Sequence, residues 1–154
     1  MIARLVVPPL LVANGLAAGI LLWSAVAGVP FLLIMPAQRY VQAQQFWGRR
    51  FEPLQPICMA LTGIADVALA LESGSTSARW LFGAGAVVVA AVMTVSLTRN
   101  VPIKRWVMSL DAKALPEDFE QRDPRRTWAA WNLTRTVLAV LALVCNAAAV
   151  GFLL

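Results

Sequence analysis

Apolar positions along this chain fall into four long runs. Short polar breaks separate most of them, and one long polar segment precedes the last. The first run, residues 5–35, carries LVVPPLLVANGLAAGILLWSAVAG and continues through Val29 to Met35. The second covers 54–72, the third 80–98 and the fourth 127–153. A helix crosses the hydrocarbon core with about 20 apolar residues, so each run predicts a spanning helix. Pro8 and Pro9 stand in the first turns, where proline is tolerated, whereas Pro30 is expected to kink or end the first helix. Ala25-Val26-Ala27 after Arg4 imitates a signal-peptidase site. The apolar run is long for a signal and continues past it, which predicts a retained span.

The breaks have patterns of their own. Residues 37–53 are amphipathic: Gln38, Gln42 and Gln45 recur at helical spacing among Tyr40, Phe46, Trp47 and Phe51. This predicts a helix on or leaving the membrane surface. Its mixture of aromatics and arginine reads as an interfacial anchor; a second reading turns Gln38 and Gln42 toward a substrate. Ser73–Ser77 is a short turn, with Trp80 after it at the interface.

The long segment, Thr98–Thr136, holds most of the basic residues and three of the six tryptophans. Pro102 removes a donor and disfavours helix at Val101, so a break is expected there. Residues 103–111 suit a short amphipathic helix. Pro116 with Glu117 and Asp118, and again Asp123-Pro124, have the form of helix starts, the second opening the last helix. Within that helix Trp128, Asn132 and Arg135 stand at i, i+4 and i+7, on one face, with Trp131 and Thr136 flanking it.

Composition agrees with this pattern. The chain is 60% hydrophobic and 14% charged, with a mean hydropathy of +0.71. Soluble domains carry about a quarter charged residues. The expected fold is all-α: one polytopic membrane domain over residues 1–154, a four-transmembrane-helix bundle with amphipathic helical stretches in the first and third connections. The net charge of +5 speaks for anionic headgroups and a cytoplasmic side, not for nucleic acid. Basic residues crowd the first and third connections, which places both there and both termini outward in a cell membrane. Lipid is the expected surroundings, and the glycine- and alanine-rich faces are suited to a homo-oligomer.

The chain has no histidine, and its two cysteines, Cys58 and Cys145, lie singly in apolar runs. Buried packing is the plain reading of both thiols. No metal site and no resident cofactor is expected. Three polar residues interrupt the spans. Asn14 and Asn146 suit interhelical hydrogen bonds, with a ligand contact as the alternative for Asn14. Asp66 is the anomaly, because a carboxylate at membrane depth costs about 2.5–3.5 kcal/mol on insertion scales. Such a residue faces the bundle interior, pairs with a cation, for which Arg135 and Arg99 are the candidates, or is protonated.

Two elements of the long segment carry a resemblance. Asn100-Val101-Pro102-Ile103, and Trp131-Asn132-Leu133-Thr134-Arg135-Thr136 leading into an alanine- and leucine-rich helix, resemble the anthrone-oxygenase-like family of small four-helix membrane proteins. Gly15, Gly19, Pro30 and the glutamine-bearing stretch before Pro53 look similar too, so the likeness runs along essentially the whole chain. One departure is visible: the family often has a second asparagine just after the NVP element, where this chain has Lys104 and Arg105.

The resemblance implies oxidation of a hydrophobic polycyclic, polyketide-like substrate, with dioxygen as co-substrate and without metal or flavin. The roles it suggests are a base at Asp66, oxyanion stabilisation by Arg135 and Asn100, and a frame for a planar ligand from Trp128, Trp131 and Asn132. Each has a plainer counterpart: an ion pair for Asp66, a cap for Asn100, a headgroup contact for Arg135 and an interfacial aromatic belt for the tryptophans. A non-redox cyclase or isomerase on the same scaffold, and a non-enzymatic scaffold or lipid-binding protein, are the alternatives.

Overall fold

Helix formation follows the apolar runs but extends beyond them. The structure is a computed structural model that describes residues 2–51 and 54–153. Glu52 and Pro53, which end the expected 37–53 stretch, lie outside the described residues. The elements are α1 (Ile2–Trp23), a π-helical turn (Ser24–Gly28), α2 (Val29–Ile34), α3 (Ala37–Phe51), α4 (Leu54–Glu72), α5 (Thr76–Val95), a second π-helical turn (Ser96–Asn100), α6 (Val101–Ser109), α7 (Phe119–Arg122) and α8 (Arg125–Gly151). Among the described residues four stretches are long and apolar enough to cross a membrane: Ala3–Ile34, Leu54–Glu72, Thr76–Ser109 and Phe119–Gly151. The protein is an all-helical integral membrane protein.

Two expected breaks are absent. At Pro30 and at Pro102 the helix continues, because each proline follows a π-helical turn. There the hydrogen bonds step back five residues: Val29 N–H donates to the Ser24 carbonyl and Val101 N–H to that of Ser96. Each proline then falls in the first turn of a new α-segment, where its missing donor costs least. The third span therefore reaches Ser109 rather than ending near Thr98. The start expected at Pro116 is also displaced: helix begins only at Phe119 and lasts four residues.

α1, α4, α5 and α8 form the bundle, with α1 on α4, α4 on α5, and α8 against both α5 and α1. Its interior is two apolar layers. One holds Leu10, Leu69, Phe82 and Ala149; the other holds Ala17, Met59, Val89 and Ala142. Small residues predominate in the second layer and let the helices approach closely.

A cap covers one end. α3 packs on α6, and Leu32, Tyr40, Val41, Val107 and Phe119 close its core. Trp106 stacks on Phe119 at 5.9 Å. Arg125 ties the start of α8 to the cap: it pairs with Asp123 and donates to the Met35 carbonyl at 2.6 Å and the Leu32 carbonyl at 3.3 Å. Its guanidinium also lies over the Tyr40 ring. Burial, reinforced by the Asp123 charge, pushes the Tyr40 phenol up to about 12.

Candidate functional site

The junction of bundle and cap leaves a cavity of about 600 Å³, within the range of about 300–1,000 Å³ for small-molecule sites. Both π-helical turns border it, through Ser24 and Gly28 on one side and Ser96, Leu97 and Asn100 on the other. Such turns widen a helix and re-aim its side chains, and they recur at functional sites. Between them the wall is mostly apolar: Ile20, Leu32, Met93, Val101, and the rings of Trp23, Trp47 and Trp128. Trp23 and Trp47 meet edge to face at 6.1 Å, joining α1 to α3 across the cavity rim. A Cβ on Gly28 would come 3.3 Å from the Trp23 ring, so the glycine gives that ring its place.

Polar groups in the wall are few. Arg135 is the best defined. Its Nε and Nη2 donate to Asn132 Oδ1 at 3.1 and 2.8 Å. Asn132 is itself fixed, donating through Nδ2 to Ser24 Oγ at 3.3 Å. One turn further on, Thr136 Oγ1 donates to the Leu21 carbonyl at 3.2 Å or the Asn132 carbonyl at 2.7 Å, tying α8 to α1. The i, i+3 spacing of Asn132 and Arg135 thus builds a held guanidinium at the cavity wall. Asn100 lines the cavity too, its Nδ2 donating to the Trp128 carbonyl at 3.5 Å. Gln44, Gln55 and Lys104 complete the polar lining. A Cβ on Gly48 would come 2.9 Å from both Cε and Nζ of Lys104, so the lysine lies across the bare backbone of α3. No aspartate or glutamate among the described residues lines this cavity.

Of the residues singled out from sequence, Arg135, Asn100 and Trp128 meet here, with Asn132 behind Arg135. The others lie elsewhere. Trp131 stacks under the Arg99 guanidinium at 4.9 Å, away from the lining. Gln38 and Gln42 are exposed, and Gln45 donates to the Leu110 carbonyl at 2.8 Å. The packed face of α3 is the one carrying Tyr40, Val41, Gln44 and Trp47, so Gln44, not the expected row, reaches the cavity. Asp66 and Asn14 are fully buried but do not line it. Neither candidate arginine pairs with Asp66: its carboxylate has the Asn146 amide beside it, while Arg135 is held by Asn132 and Arg99 lies over Trp131. Thr94, Ser96 and Thr98 bond back to carbonyls four residues earlier, as polar residues in apolar helices do. Both cysteines are free, Cys58 buried. Among the described residues no three His, Cys, Asp or Glu side chains cluster.

Gln44, Lys104, Trp23 and Trp47 were not foreseen as site residues. The spacing held a signal for one of them: Lys104 follows Asn100 by four residues, and with helix unbroken across Pro102 that places both on one face.

No curated protein and no solved structure matches the chain. The family model for anthrone oxygenase matches residues 44–145, which run from Gln44 in the cavity wall through Lys104, Trp128 and Arg135. The match covers about two thirds of the chain, and with the four spans and the two sequence elements at Asn100 and Trp131 it places this chain in the anthrone oxygenase family.

Proposed function

We propose that the protein oxidises the methylene carbon of a planar, anthrone-type polycycle with dioxygen, inside the cavity between bundle and cap. The observation that carries this reading is the Arg135 guanidinium, held by a neutral partner, in the wall of an otherwise apolar cavity of ligand size. A half-buried cation beside aromatic walls suits a hydrophobic molecule that becomes an anion during reaction. Leu16, Trp23 and Leu97 line the cavity and are also exposed on the outside of the bundle, which suits a substrate arriving from the bilayer.

The chemistry needs little from the protein. An anthrone loses a proton from its ring methylene, and the electron pair moves onto the carbonyl oxygen. Arg135, with Asn100 near it, stabilises that oxyanion. Lys104, in its neutral form, is the group in the wall suited to take the proton. The electron-rich anion passes one electron to dioxygen, and the resulting radical and superoxide join in a carbon–oxygen bond. Protonation gives a hydroperoxide. Loss of the second methylene proton then expels hydroxide across the O–O bond and leaves a carbonyl. Overall, anthrone and one dioxygen give anthraquinone and one water. Trp23, Trp47 and Trp128 would hold the flat ring system, and burial would keep bulk water from the anion.

The test is turnover by the purified protein in nanodiscs, with an oxygen electrode and chromatographic detection of quinone. One dioxygen consumed per quinone, with strong loss in Arg135→Gln, is the expected result. Conversion without oxygen to a product of unchanged oxidation level would replace this reading with a cyclase. No binding of any planar polycycle, read by quenching of the cavity tryptophans, would remove the enzyme reading altogether.

A further inference from the structure

The bundle contains a second polar locus that the oxidation does not use. It lies between the two apolar layers. On α1 it falls at Asn14, between Leu10 and Ala17; on α4 at Asp66, between Met59 and Leu69. On α5 it falls at Gly85, between Phe82 and Val89, and on α8 at Asn146, between Ala142 and Ala149. Each of the four bundle helices thus breaks its apolar face at the same level.

Asn14, Asp66 and Asn146 are all 0% exposed. The Asn146 amide lies within reach of the Asp66 carboxylate, but no hydrogen bond of good geometry satisfies the side-chain oxygens and nitrogens of the three residues among the described residues. Gly85 leaves room for two of them: a Cβ there would lie 2.7 Å from Asn146 Oδ1 and 3.0 Å from Asp66 Oδ2. These oxygens converge on one point of the α5 backbone. No arginine or lysine among the described residues pairs with Asp66. Buried polar groups are hydrogen-bonded or ligated as a rule, and buried charges are paired or hold cations.

We propose that this layer binds one alkali cation, sodium first, between Asp66 and the amide oxygens of Asn146 and Asn14. The donors present are oxygens, which suit a hard cation; the chain has no imidazole, and Cys145, next to Asn146, is only half-buried and lies about 100° round α8 from it. One carboxylate matches one positive charge, whereas a divalent ion would leave a net charge in hydrocarbon. Thr62 stands one turn before Asp66, on the same face of α4. Its hydroxyl donates to the Cys58 carbonyl at 2.8 Å, so its lone pairs remain available as a further oxygen ligand. A proton on Asp66 would neutralise the charge but bring only one donor to the cluster, while a cation is shared among several oxygens at once. The bound ion fastens α1, α4 and α8 together at mid-depth, where polar side chains interrupt the apolar packing.

The test is independent of oxygenation. Radioactive sodium binding to the purified protein in nanodiscs at pH 8 is measured beside thermal unfolding in sodium, potassium or choline chloride at equal ionic strength. Expected are one sodium bound per chain, a melting temperature that rises and saturates with sodium but not with choline, and loss of both in Asp66→Asn. Asn146→Ala should weaken binding at least tenfold. Sodium that neither binds the wild type nor shifts its melting relative to choline overturns the proposal and leaves Asp66 holding a proton. An equal sodium response in wild type and Asp66→Asn overturns it as well. The wild-type cation series decides the matter even if the variant fails to fold.

Discussion

Arg135 and Asn132 act as one unit in this structure, and a double-mutant cycle tests that directly. Arg135→Gln removes the cation but keeps an amide of similar reach. Loss of a donor to a developing oxyanion costs about 10²–10³ in kcat, or about 2.7–4 kcal/mol. Asn132→Ala leaves the guanidinium in place without its acceptor, the oxygen that now takes two N–H bonds at 3.1 and 2.8 Å. Hydrogen bonds to charged groups contribute about 1.5–3 kcal/mol, so a freed guanidinium predicts a rate loss of roughly 10- to 100-fold. Asn132 acts through Arg135. The double variant should therefore be no slower than Arg135→Gln alone, with a coupling energy close to the whole Asn132 effect. The assay is initial-rate quinone formation under saturating substrate, with size exclusion and tryptophan emission to confirm folding. KM should change less than kcat, because the oxyanion exists only along the reaction path. Two results would refute the reasoning: near-wild-type turnover in folded Arg135→Gln, or losses that simply multiply in the double variant.

Three further outcomes follow from the structure. Gly85→Ala places a methyl 2.7 Å from Asn146 Oδ1 and 3.0 Å from Asp66 Oδ2, so it should lower stability by about 1–3 kcal/mol through overpacking. Thermal unfolding in detergent reads this, and Gly83→Ala, with nothing within 4 Å of its added carbon, is the control. The single tyrosine gives an optical titration: absorbance at 295 nm should rise near pH 12 in the folded protein and near pH 10 after unfolding. Because the folded value is the higher one, stability is full below about pH 10 and is lost as pH rises toward 12. Arg125→Ala breaks the Asp123 pair and the bonds to the Met35 and Leu32 carbonyls, which should destabilise the cap by about 2 kcal/mol. Proteolysis within 110–124 should accelerate while the bundle helices stay protected.

The spans were legible because membrane depth forces a simple rule: long apolar runs become helices. The amphipathic stretches read at 37–53 and 103–111 were legible as helical for a related reason, though the second helix starts at Val101 and ends at Ser109. What the sequence hid was rotation. Gln38, Gln42 and Gln45 form a visible row, yet Gln44 reaches the cavity, since the packing of Tyr40 and Val41 decides which way α3 faces. Asp66 was legible as buried, and its partner was not. Electrostatics alone favoured an arginine, but Arg135 sits about three turns of α8 from the level of Asn146, held by Asn132. The Trp128–Asn132–Arg135 face did emerge, because it lies within one helix and needs only the 3.6-residue period. Lys104 stayed hidden behind a proline rule. Pro102 reads as a break in a regular α-helix, and the preceding π-helical turn shifts the hydrogen-bond ladder so that no break occurs.

Those two π-helical turns carry a consequence for how such a cavity diversifies. Each holds one residue more than an α-helical turn requires. Deleting a single residue within Ser96–Asn100 would restore the α-helical ladder and leave α6 close to its present register, because five residues of π-helix turn through about the same angle as four of α-helix. Lys104 would keep its place, while the wall residues of the turn itself, Ser96, Leu97 and Asn100, would be re-aimed or lost. The same holds for Ser24 and Gly28 in the first turn. Insertion or deletion of one residue therefore changes the lining at the turn alone, while the four spans and their small-residue contacts stay in register. A scaffold with this property can change its ligand through indels, without waiting for substitutions to accumulate one by one along the cavity wall.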